Sequence, residues 1–234
     1  MGKGKRGGTQ VGFVLSFVIF ITFIIVIYSV LIVPNLNQED KRSLVDNLKI
    51  KLLENVSGEL AVVSINTESA PQNCIRIQNF LGNFNTSSRL VAKDKFGVSQ
   101  KTYVLGSDLE ISRNSNETFF KVYESGEFDV ASAVGETPCN PRSYETGNAK
   151  REVYIFEKKI ISLMGNYQEN YESVRDGFNF PDDSDFDFGF KYSNETHIKV
   201  ERQTTLSIYS VEIPIQYVDG NASILSGFVN IRVW

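Results

Sequence analysis

Histidine occurs once in the 234 residues and cysteine twice, and each scarcity removes a class of chemistry. The one imidazole, His197, lies in a strand-like run, which leaves serine and cysteine nucleophiles without a nearby base. No serine sits in a Gly-x-Ser-x-Gly setting, and no glycine-rich loop of phosphate-cradling form is present. The 28 acids single out no pair for glycoside chemistry. An enzyme is therefore not expected, and no catalytic residue or cofactor is assigned. Neither cysteine belongs to a Cys-x-x-Cys or has a histidine neighbour, so a zinc site is not expected. In an exported domain Cys74 and Cys139 read as a disulfide; otherwise they are two buried thiols.

Charge is also missing where it is usually plentiful. No acid precedes Glu39, and residues 11–33 (VGFVLSFVIFITFIIVIYSVLIV) carry neither charge nor proline. One continuous helix over that run would be roughly 35 Å long, enough for a hydrocarbon core of about 30 Å. Its polar members Ser16, Thr22, Tyr28 and Ser29 are types that such helices tolerate. The run exceeds the apolar part of a secretory signal and ends without a small-x-small cleavage site. Lys3, Lys5 and Arg6 precede it, so the expectation is a single-pass membrane protein with a cytoplasmic N-terminus and an extracellular C-terminal domain. Membrane lipid is then a partner.

Residues 35–234 hold all 28 acids and 21 of the 24 bases, a net charge of −7. That balance argues against nucleic acid and anionic headgroups as partners. Seventeen Phe and ten Tyr supply the apolar area for a packed core, which a disordered stalk lacks. Five Asn-x-Ser/Thr sequons, at Asn55, Asn85, Asn116, Asn194 and Asn221, all follow the apolar run. They read as glycosylation candidates or as part of a polar surface.

Along the chain, Leu44, Val45, Leu48 and Leu52 recur at helical spacing within 34–58, an amphipathic connector with Asn37 as a plausible cap and Gly58 as a stop. Strands are expected at 59–65, 74–81, 89–93, 101–105, 108–112, 118–124, 152–156, 186–192, 197–202, 205–217 and 224–234. One helix is expected at 157–176, and a turn-rich loop at 135–149. Asp219-Gly220 joins the last two strands as a hairpin, and Pro214 places its strand at an edge or interrupts it. The fold class is α+β: a transmembrane helix continuing into an amphipathic helix, then a mainly antiparallel β-rich head with one further helix. The expected division is a basic leader at 1–10, the span at 11–33, the connector at 34–58 and the head at 59–234.

Two stretches near residue 185 bear on function. Asp183, Asp185 and Asp187 alternate like the first ligands of a calcium loop, but Gly189 falls at loop position 7 and Asn194 at position 12. A solvated acidic loop is the expectation, with no metal assigned. Phe186, Phe188 and Phe190 share a strand face and, with Phe178 and Phe180, read as core.

The N-terminal sequence Lys5-Arg6-Gly7-Gly8-Thr9-Gln10-Val11-Gly12-Phe13, followed by the apolar run, resembles archaeal type IV pilin-like and archaellin-like precursors with a class III signal peptide. The resemblance covers about the first 35 residues. It implies a processing site at Arg6, Gly7, Gly8 and Thr9, cut by a prepilin peptidase after Gly7 or Gly8. The glutamate at the fifth mature position, typical of bacterial pilins, is absent, since Gly12 or Phe13 stands there. The implied function is a structural subunit or minor component of an archaeal surface filament, self-associating through the apolar helix. The alternative is an anchored ectodomain that does not polymerise and binds a partner or ligand.

Overall fold

The computed structural model describes residues 8–28, 33–69, 73–84, 89–113, 117–135, 139–200 and 202–234. Two helices open the chain, α1 (Gly8–Ile27) and α2 (Val33–Val56). The strands β1 (Ser57–Thr67), β2 (Cys74–Ile77), β3 (Leu90–Asp94), β4 (Ser99–Gln100), β5 (Thr102–Leu105), β6 (Asp108–Ser112), β7 (Phe119–Glu124), β8 (Tyr144–Thr146) and β9 (Lys150–Phe156) follow, with the short helix α3 (Phe80–Phe84) after β2. Helices α4 (Glu157–Glu169) and α5 (Tyr171–Gly177) precede β10 (Phe186–Tyr192), β11 (His197–Lys199), β12 (Tyr209–Val218) and β13 (Ile224–Val233).

The protein is mainly β, built on a ten-stranded sheet in the order β11-β10-β13-β12-β9-β1-β7-β3-β4, with β8 also on β1. A second sheet runs β2-β6-β5. The large sheet is mixed, because β12 and β9 run parallel, where a mainly antiparallel head was expected. That pairing is two residues long, Tyr217 with Ile155 and Val218 with Phe156. Among the described residues, therefore, no second strand pairs with β12 at Pro214, the setting that a residue lacking an N–H requires.

The expected transmembrane segment is corrected. Among the described residues no helix is long and apolar enough to cross a membrane, so the single-pass assignment with a cytoplasmic N-terminus and an extracellular C-terminal domain is unsupported. Helix α1 spends its first residues on Gly8, Thr9 and Gln10 and ends at Ile27. Its apolar part, from Val11, rises roughly 25 Å against the about 30 Å of a hydrocarbon core. The last part of the expected span, 29–32, lies outside the described residues, and α2 opens at Val33.

Among the described residues three further helices stand where one was expected. At 157–176 the chain forms α4 and α5, broken at Asn170, whose side chain accepts from Ser173 N and caps α5. Short polar side chains prefer such a cap to a helix interior. The strand expected over 74–81 ends at Ile77 and turns through Asn79 (φ 53°) into α3.

Helical spacing sends Val45, Leu48, Leu52 and Val56 of α2 to one face, where they pack with Ile160, Leu163, Met164 and Tyr167 of α4. Both helices lie on the inner face of β10, β12 and β13, lined by Phe186, Phe188, Phe190, Ile213, Ile215, Val229, Ile231 and Val233. Phe178 and Phe180 join this core, as the aromatic pattern predicts. A second core lies between the β1-β7-β3 part and the small sheet, with Ile65, Ile75, Ile77, Phe80, Leu109, Ile111 and Phe120 wholly buried. A third cluster, Leu60, Phe128, Phe156, Val218 and Ala222, sits at the β9–β12 junction. There Phe128 and Phe156 meet edge to face with ring centroids 6.0 Å apart.

The final hairpin forms, but β12 starts at Tyr209 where the strand was expected from 205, and the turn is different. Asp219 Oδ1 accepts from Asn221 N at 2.9 Å and from Ser223 N at 2.7 Å. The left-handed residue is Ala222 (φ 57°), not Gly220. An aspartate that binds the backbone ahead of it imposes a longer loop than the two-residue Asp-Gly turn.

Candidate functional site

Helix α1 is where the fold leaves a surface unsatisfied. In a helix each residue is rotated about 100° from the last, so a run of consecutive exposed positions samples every direction. From Phe13 to Tyr28 the exposed residues include Phe13, Phe17, Phe20 and Phe23 together with Ile19, Ile24 and Ile25. Exposure ranges from 76% at Phe13 to 39% at Ile21. One hydroxyl of the stretch is satisfied within the helix, since Thr22 Oγ1 donates to Val18 O at 2.8 Å. This is unlike α2, whose buried face is a stripe and whose opposite face is charged. A helix apolar all round needs apolar surroundings on all sides rather than one docking surface.

The expected disulfide is present. Cys74, on β2, joins Cys139 across 65 residues with a Cα–Cα distance of 5.7 Å. The loop carrying Cys139 runs beside β2, where Arg76 N donates to Asn140 O at 3.3 Å and Arg142 N to Arg76 O at 3.0 Å. Glu110, fully buried nearby, accepts from Arg76 Nη2 at 3.1 Å. Cys74, Glu110 and Cys139 place their potential ligand atoms within 4.8 Å of one another. With both sulfurs joined to each other, no thiolate remains there to bind a metal.

The processing residues fall at the start of α1. Arg6 and Gly7 lie outside the described residues, while Gly8 and Thr9 open the helix. Three sequon asparagines, Asn55, Asn194 and Asn221, are exposed, whereas Asn85 and Asn116 lie outside the described residues. Within Asn194-Glu195-Thr196 the Thr196 hydroxyl donates to Asn194 Oδ1 at 2.6 Å. His197 is exposed on the edge strand β11.

The acidic stretch is divided among separate tasks. Asp182 pairs with Arg175 at 2.9 Å, and Asp185 accepts from the Tyr171 hydroxyl at 2.7 Å. Asp187 is buried and faces Arg232 at 3.4 Å. Asp185 and Asp187 thus meet different partners, and the Asp183 carboxylate accepts from the Ser184 hydroxyl at 3.4 Å. The Arg202 guanidinium lies 3.8 Å from the centroid of the Tyr171 ring. Burial, and then the hydrogen bond to Asp185, pushes the Tyr171 hydroxyl up to about 12. Burial also raises the Tyr167 hydroxyl.

Lys93 and Glu110 were not singled out by sequence, although both are buried charges. Lys93 lies beside the equally buried Ala92, against the alternation of a strand. Its ammonium donates to Ser223 Oγ at 2.9 Å, reaching the β12–β13 loop. Burial lowers its pKa, opposed by Asp219. Only a long-range partner explains a lysine there, and sequence does not reveal such a partner.

Compared with models of known families, with curated proteins and with solved structures, the chain matches none.

Proposed function

We propose that the protein is a structural subunit that polymerises through α1, in the manner of the archaeal pilin-like family its N-terminal sequence resembles. The supporting observation is the all-round apolar exposure of α1 beside a head whose own cores are closed. Copies of α1 packed side by side would surround one another, which a single complementary patch could not do. Each large apolar side chain contributes about 1.5–3 kcal/mol when fully buried. The dozen of them on α1, already half-shielded by the helix, supply on the order of 10 kcal/mol, comparable with the lost freedom of association. In this reading a prepilin peptidase cuts after Gly7 or Gly8 and leaves α1 as the leading element. The β-rich head then forms the outside of the assembly.

The test is sedimentation and negative-stain electron microscopy of the full chain in detergent-free buffer, with mass spectrometry of the mature N-terminus. Filaments or large oligomers are expected, with a start at Gly8 or Thr9 in the native host. The variant Phe17→Asp/Ile24→Asp should sediment as a monomer with unchanged far-UV circular dichroism of the head. A wild-type monomer, or a chain that partitions into lipid vesicles without self-association, would overturn the reading.

A further inference from the structure

Three of the five Asn-x-Ser/Thr tripeptides lie wholly within the described residues, and the fold engages the hydroxyl of each in a different way. In Asn55-Val56-Ser57 the Ser57 hydroxyl turns back onto α2 and donates to Leu53 O at 2.6 Å. In Asn221-Ala222-Ser223 the Ser223 hydroxyl accepts from the Lys93 ammonium at 2.9 Å, while Ser223 N donates to Asp219 Oδ1 at 2.7 Å. In Asn194-Glu195-Thr196 both donors go to the asparagine itself. The Thr196 hydroxyl donates to Asn194 Oδ1 at 2.6 Å, and Thr196 N donates to the same oxygen at 3.1 Å.

The middle residues separate the same way. Val56 is 1% exposed, as the last member of the buried stripe of α2, and Ala222 is 2% exposed, where the β12–β13 loop docks on the third cluster. Glu195 is exposed, and so are Asn194 and Thr196 on either side of it. Residues 193–196 form the turn between β10 and β11, at the edge of the large sheet. Tyr192 N donates to Thr196 O at 2.9 Å, and Glu195 N to Tyr192 O at 3.0 Å. Glu195 takes the left-handed conformation (φ 67°), and the Asn194 side chain steadies the turn by binding the backbone ahead of it.

We propose that, of these three asparagines, Asn194 alone accepts an N-linked glycan in the folded chain. The donor class is a sugar joined through its anomeric carbon to an isoprenyl diphosphate. In the transfer Asn194 Nδ2 bonds to that carbon and releases one proton to solvent. The bond from the carbon to the phosphate oxygen breaks, and the isoprenyl diphosphate leaves with the electron pair. An amide nitrogen is a poor nucleophile because its lone pair is delocalised into the carbonyl. Two donors on Oδ1 polarise the Asn194 amide, make its Nδ2 protons easier to remove and leave Nδ2 as the atom to react. An enzyme that reads the tripeptide must also reach all three residues. At Asn55 and Asn221 the middle residue lies under the fold, so the end of α2 or the β12–β13 loop would have to open first. The site lies on the head and does not depend on assembly through α1.

The experiment is transfer in vitro. The purified, unmodified full chain is incubated with a single-subunit oligosaccharyl transferase and its isoprenyl-diphosphate-linked glycan, and occupancy is read by glycopeptide mass spectrometry. Glycan should appear at Asn194 faster than at Asn55 or Asn221 by about tenfold or more, since those two need local opening before they react. Three synthetic peptides, each carrying one of the tripeptides with its flanking residues, are the control. All three should accept glycan at comparable rates, because outside the fold no hydroxyl is engaged and no middle residue is buried. A folded chain unmodified at Asn194, the result for a turn that is only solvated polar surface, overturns the proposal. Occupancy of Asn55 or Asn221 that keeps pace with Asn194 overturns it too, and so do peptides that already show the ranking found in the folded chain.

Discussion

Replacing Phe156 by alanine tests how the two parts of the large sheet are held together. The backbone link between them is the two-residue β9–β12 pairing, so continuity rests on the third cluster. Phe156 is almost wholly buried there between Phe128, Leu60 and Val218. Its ring is also the surface against which Gly58 closes, where a Cβ would approach to 3.1 Å. Truncating a buried phenylalanine costs about 3–5 kcal/mol when the cavity cannot collapse, against a total stability of about 5–15 kcal/mol for a domain. The loss falls on the junction and not on the two larger cores, so it should uncouple the halves. The single tryptophan, Trp234, is buried beside β10, and its backbone exchanges hydrogen bonds with that of Asp185 at 2.9 and 3.0 Å. Its fluorescence therefore reports on the β10–β13 half. Urea unfolding of the wild type should give coincident curves by tryptophan fluorescence and far-UV circular dichroism. In Phe156→Ala the two curves should separate, with the midpoint of at least one probe falling. A single coincident transition, destabilised by less than about 1 kcal/mol, would refute the claim that this cluster couples the halves.

Three further outcomes follow from particular contacts. Reduction, or the Cys74→Ala/Cys139→Ala variant, should lower stability by roughly 4 kcal/mol from the 65-residue separation, the chain-entropy value for such a loop; an unchanged urea midpoint would contradict it. Because the folded-state pKa of Tyr171 is raised to about 12, its contribution is fully present below about pH 10. That contribution should be lost as pH climbs toward 12, so Tyr171→Phe should flatten the alkaline limb of a melting-temperature profile, and an identical limb would contradict the assignment. Gly227→Ala should destabilise by about 1–3 kcal/mol, since the new Cβ would lie 2.9 Å from the Lys191 carbonyl oxygen; a neutral denaturant midpoint would show that the strands can move apart.

Much of this architecture is written in short-range pattern. Alternation in TFFKVYE and FDFGFKY marks β7 and β10 because successive strand side chains face opposite ways. Leu-Val spacing in α2 marks its buried face because helix neighbours recur at three and four residues. The disulfide was legible from an even cysteine pair with no metal-like spacing. Composition alone gives no sign of which strands meet, and β9–β12 is parallel because α4 and α5 carry the chain across the sheet before it returns. The buried charges Lys93 and Glu110 were equally hidden, because their partners lie far along the chain, Ser223 for Lys93 and Arg76 for Glu110.

The sequence by itself determined the strand-rich head and the aromatic core and narrowed the two cysteines to a bridge or a pair of buried thiols, since each depends on periodicity or on pairing within a small set of residues. Tertiary structure decided the rest. It left the described side chains of α1 exposed along the helix. It also set the register that puts Gly189 beside Lys199 and Asn230 in the large sheet. Register and cover arise from contacts between distant segments, and a linear pattern carries no term for them.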